Sequence, residues 1–161
     1  MARTQAATYS LLDEMCASPT QPMTVQKRTY TLTTLWAALA SIESGPSPTS
    51  NDWRLCSDAV NMMETLVETL KVCEDASGLL HDATNALAHA ALRHQETGAS
   101  IRLDGPGIIA VRSVLEDYQT VLESLPHRTM IRCHRLTERR IREIRQGRTK
   151  DHDAVVVSLR G

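Results

Sequence analysis

The sequence predicts an all-α protein, a long antiparallel helical hairpin with accessory N-terminal helices, and three observations lead there. Apolar or small residues recur at alternating steps of three and four along most of the 161 residues, the spacing of one face of an α-helix. There is no phenylalanine, and only two tryptophans and three tyrosines, so the core must come from Leu, Ile, Val, Met and Ala, which suit helix-on-helix packing. Short clusters of Gly, Pro and Ser, such as GPSPTS and DGPG, separate the periodic stretches. The length suits one domain, expected over residues 1–150, with 151–161 as a flexible tail.

The first element is a helix over 4–16, with Thr8, Leu11, Leu12 and Met15 on one side, followed by the irregular ASPTQPMT. A second helix over 29–44 places Leu32, Leu35, Leu39 and Ile42 on one face and ends at GPSP. The longest series runs from Cys56 through Met63, Leu70, Ser77, Leu80 and Leu87 to Ala91, a sustained seven-residue repeat. It predicts one helix over 52–95, capped by Ser50 or Asn51, stopped by Gly98, and about 65 Å long at 1.5 Å per residue. Gly78, beside Ser77, is the expected place for a bend.

A helix over 106–124 follows, with Asp104 or Gly105 as its cap and Pro106 in its first turn, where the missing N–H costs nothing. Ile108, Val111, Leu115, Tyr118 and Leu122 form its apolar face, and Pro126 separates it from a last helix over 127–146. Aligning the two arms of the hairpin pairs Leu87–Ala91 with Ile108–Val111, and Cys56–Leu70 with Met130–Ile144. The tip then carries more apolar residues than one partner helix covers. Homodimerisation through Leu80, Leu87, Ala91, Ile109, Val114 and Val121 is expected, closing a four-helix core.

Charge is distributed unevenly. Residues 1–125 carry 8 basic and 15 acidic side chains, a balance of −7, whereas 126–150 carry 9 and 2, a balance of +7. Eight arginines lie within His127–Arg148. At 100° per residue Arg128, Arg132, Arg135, Arg139 and Arg142 fall within about 80° of one another, opposite Met130, Cys133, Thr137, Ile141 and Ile144. Arg145 extends the field. A row of guanidinium forks at one-turn spacing suits an acidic protein surface or the phosphates of a nucleic acid, while an amphipathic helix also simply puts charge in water. No aromatic residue lies among the arginines to stack on bases.

Signatures of catalysis are missing: there is no G-x-S-x-G, no H-E-x-x-H and no P-loop, and the four cysteines form no C-x-x-C pair. His81 and His89, at i and i+8 with Asn85 between them, are the candidates for a metal pair, but nothing marks further ligands; polar residues on a bundle surface explain them as well. No cofactor is implied. No apolar run approaches the ~18 residues of a membrane span, and the N-terminal stretch lacks an apolar signal core, so a cytoplasmic protein without membrane partners is expected. The resulting expectation is a non-catalytic helical regulator, adaptor or inhibitor that binds a protein partner through its arginine helix; a dimeric nucleic-acid-binding regulator is the alternative.

Overall fold

Helix starts in this chain follow from side chains that accept otherwise unpaired backbone N–H groups. Ser10 and Thr49 each form a reciprocal capping box, with Asp13 and Asp52 three residues on. Thr24 accepts from the Lys27 N–H, and Asp104 accepts from the Gly107 N–H at 2.7 Å. The computed structural model describes residues 7–148 and Leu159. Among these, the helices are α1 (Leu11–Cys16), α2 (Val25–Ser44), α3 (Ser50–Glu64), α4 (Leu80–Thr97), α5 (Gly105–Ser124) and α6 (His127–Arg145). No strand occurs among the described residues.

The predicted helix over 52–95 is not continuous. The Trp53 indole N–H donates to the Leu87 carbonyl at 2.8 Å, whereas an unbroken helix would hold those residues about 50 Å apart. After α3 the chain makes one π-helical turn, Thr65–Thr69, closed by Leu70 N–H to Thr65 O at 2.9 Å. Lys71 then adopts a left-handed φ of 52° and Gly78 one of 68°. Asp75 accounts for much of the reversal: its carboxylate accepts the N–H groups of Gly78 and Leu80, both at 3.1 Å, and so caps α4 from outside. Ser77 N–H donates to Asp117 on α5 at 3.2 Å. Short polar side chains that bond nearby backbone compete with a helix, and here they outweigh a continuing apolar repeat. Gly78 does mark a turn, but it closes a ten-residue excursion.

Folded back in this way, α4 packs on α3 as well as on α5, its neighbour across the loop after Gly98, and α3 also touches α2 and α6. Gly98 ends α4 in the left-handed region, φ 70°, as its position predicts. Arg102, in the α4–α5 loop, donates to the carbonyls of Ser41, Ile42 and Gly45 and so caps the C-terminus of α2. The core runs along α3: Val60, Met63 and Leu66 meet Leu39 and Ile42 of α2, Ala91 of α4, and Val111, Leu115 and Leu122 of α5. Each large apolar side chain buried there contributes about 1.5–3 kcal/mol.

Five of the six residues expected at a dimer seam are interior residues of one chain: Leu80, Leu87, Ala91, Val114 and Val121 are buried, and only Ile109 is exposed, at 63%. The expectation rested on a hairpin tip lacking cover, and the reversal at 70–79 brings α3 over that surface. The second arm pairing does occur. The Cys133 thiol donates to Met62 O at 3.3 Å, and the Thr137 hydroxyl meets Thr65 Oγ1 at 2.6 Å.

Several boundaries differ from expectation: α4 ends at Thr97 and not at 95, and α5 begins at Gly105, one residue early. α2 begins four residues before the predicted 29, α3 is capped by Thr49, and the first helix spans only Leu11–Cys16, with residues 4–6 outside the described part. The tail over 151–161 also lies outside it, except for Leu159, which is partly buried against the core. None of the described helices is long and apolar enough to cross a membrane.

Candidate partner interface

α6 begins at His127 as expected and ends at Arg145, one residue before the expected 146, and Met130, Ile131, Cys133 and Thr137 on its inner face are buried. Its arginines divide into two groups. Arg128 donates from Nε to Ala17 O at 3.1 Å and from Nη2 to Met15 O at 2.8 Å, capping the end of α1. Arg135 pairs with Glu14 of α1, and Arg140 pairs with Glu64 at the end of α3. Thr8 reaches the other end of this contact, its hydroxyl donating to Glu138 at 2.6 Å. The N-terminal segment thus runs antiparallel to α6 and covers one edge of the predicted stripe.

The second group faces water. Arg132, Arg139 and Arg142 are exposed and make no side-chain hydrogen bond or ion pair among the described residues. Arg145 is exposed as well. What remains of the stripe is a ridge of three guanidinium groups on a helix held along both edges by its other arginines. Composition could not distinguish the groups, because the acids that pair with Arg135 and Arg140 are more than seventy residues away in sequence.

Beside α6 lies a cavity of about 240 Å³ that no sequence pattern marks, lined by the segment around Tyr9 and by α2, α3, α5 and α6. Its walls are largely apolar, with Leu35, Leu55, Met62, Leu122 and Met130 among them, and Asp58, His127, His134, Tyr9 and Thr31 bring polar groups to it. Asp58 is exposed where it lines the cavity, and it makes no hydrogen bond or ion pair among the described residues. The crowding walls push its carboxyl above the usual carboxylate range, against the pull of His134 and Arg54. His127 is held below the ordinary imidazole range by burial and then by Lys27. The His134 ring stands edge-on to Tyr9, centroids 5.2 Å apart, and its Nδ1 is 3.4 Å from Glu138 Oε1, too poorly aligned for a hydrogen bond. A sequence signal for Asp58 exists: it is an acid whose i−3 and i+4 neighbours, Leu55 and Met62, both belong to apolar positions.

His81 and His89 are exposed on α4, and the His81 ring nitrogen Nε2 lies 2.9 Å from the Asn85 amide. Among the described residues no three His, Cys, Asp or Glu side chains come together where they could hold a metal ion. Burial pushes the thiols of Cys56 and Cys133 up to about 12, which leaves both protonated and unreactive at neutral pH. Comparison with family models, curated proteins and solved structures finds no match to this chain.

Proposed function

We propose that this is a non-catalytic helical binding protein whose α6 ridge, Arg132, Arg139 and Arg142, docks onto an acidic surface of a partner protein. The supporting observation is the division of labour among the arginines: Arg128, Arg135 and Arg140 immobilise the helix, whereas Arg132, Arg139 and Arg142 are exposed with no side-chain partner among the described residues. A charged row presented on a rigid element loses little entropy on binding. The ridge spans about 15 Å along the helix, from Arg132 to Arg142.

The number of available arginines favours a protein partner over a nucleic acid. The exposed arginines of this region are Arg132, Arg139 and Arg142 with Arg145 and Arg148 beyond them, and five phosphate contacts would give a slope of about −4.5 in log K against log salt, shallower than that of a protein making about 6–10 contacts. The test is fluorescence anisotropy of labelled poly-L-glutamate and of single- and double-stranded DNA over a salt series. The wild-type chain is compared with the Arg132→Glu, Arg139→Glu, Arg142→Glu triple variant. Binding of the acidic polypeptide that disappears in the folded triple variant is expected. A DNA slope of about −6 or steeper would transfer the reading to a nucleic-acid regulator, and absence of binding to either polyanion at low salt would end both.

A further inference from the structure

The cavity between α2, α3, α5 and α6 holds chemistry that the arginine ridge does not use, and among the described residues no arginine lines it. We infer that it is a binding site for a small organic ammonium, a compound with an amine head for Asp58 and an apolar body for the cavity wall. Among the described residues Asp58 is the only acid lining the cavity, and none of them donates to its carboxylate. The exposed carboxylate has no protein donor to give up, and a ligand ammonium would give it charge-assisted hydrogen bonds beside an apolar wall.

The rest of the lining suits the other end of such a molecule. Leu55, Met62, Leu122 and Met130 present aliphatic and thioether surface, and methionine adapts to irregular shapes. The Tyr9 ring adds aromatic surface to the lining, and Thr8 N–H and hydroxyl tie its segment to Glu138. Positive charge is scarce: among the described residues His127, its imidazole pushed down by burial, and His134 are the only basic side chains that line the cavity. At about 240 Å³ the space lies just below the usual range for drug-sized ligands, roughly 300–1,000 Å³, so the occupant is small.

The experiment is an NMR titration of the ¹⁵N-labelled full chain with phenethylamine, with 2-phenylethanol as a neutral comparison of nearly the same shape. Saturable shifts confined to residues around Asp58, Leu122 and Ile131 are expected, with 2-phenylethanol binding at least about tenfold more weakly. Asp58→Asn keeps the size and removes the charge, and should abolish the preference for the amine. Thr31→Phe fills the cavity without touching the carboxylate, and should weaken both compounds. The inference is overturned if phenethylamine gives no saturable shifts up to about 10 mM, if the alcohol binds as well as the amine, or if Asp58→Asn retains the preference.

Discussion

Replacing Arg128 by methionine keeps the aliphatic stem and removes the two hydrogen bonds to Met15 O and Ala17 O. A hydrogen bond from a charged donor contributes about 1.5–3 kcal/mol when shielded. Arg128 is only partly buried and water can replace it, so the pair is worth about 1–3 kcal/mol in total. Because α1 has no buried residue of its own, this loss falls on its docking and not on the core. At about 1.4 kcal/mol per factor of ten, the amides Glu14 and Ala17, whose N–H groups bond to Ser10 O and Asp13 O, should exchange with deuterium about 5- to 150-fold faster. Amides of α5 should keep their protection. Arg132→Met, on the exposed ridge, should change α1 exchange by less than about twofold. If Arg128→Met leaves α1 unchanged, or if Arg132→Met accelerates it equally, the division of the arginines into structural and solvated groups is wrong.

Arg102→Met strips a charged cap from three α2 carbonyls and should cost about 1–3 kcal/mol in urea denaturation. Gly107→Ala should destabilise by about 1–3 kcal/mol, because its Cβ would stand 2.7 Å from the Asp104 carboxylate that caps α5 and 2.9 Å from Ala86 Cβ; unchanged thermal unfolding would contradict the close α4–α5 contact. Asp58→Asn should stabilise the protein at pH 7. The folded pKa of Asp58 is raised, so its ionised form opposes folding above that value, and the advantage of the variant should shrink as the pH falls and vanish below the unfolded value near 3.8. Asp52 has the opposite sign. Its burial raises the pKa, but hydrogen bonds from Thr49 and Ser41 outweigh this and lower it, so its stabilising contribution is present above 3.8 and lost as the pH falls through the folded value; Asp52→Asn should therefore weaken the protein at pH 7 and matter progressively less as the pH falls below 3.8.

Local rules explain why much of the fold can be read from the residues. Asp104, Pro106 and Gly98 each satisfy a backbone requirement within their own helix end, so their positions predicted the start of α5 and the stop of α4. The apolar faces of α2, α5 and α6 were legible for the same reason: a spacing of three and four residues is a property of one helix. Thr49 was missed as a cap because Ser50 and Asn51 beside it have equal intrinsic preference, and only the reciprocal bond to Asp52 separates them.

The sequence by itself determined helix type, most helix ends and which face of each helix is apolar, because hydrogen bonds and periodicity within a helix span only a few residues. Tertiary structure decided the reversal between α3 and α4: the same apolar repeat fits a continuing helix and a folded-back pair, and Asp75 caps α4 in a chain that also gains the contact of Trp53 with Leu87. It likewise decided that Leu87 and Val114 are core and not seam, that Arg128 and Arg135 are spent on α1 while Arg132 and Arg139 are not, and that Asp58 opens on a cavity. Each of these depends on which distant element supplies the neighbouring atoms, and burial and charge pairing are set by neighbours in space, which no local pattern contains.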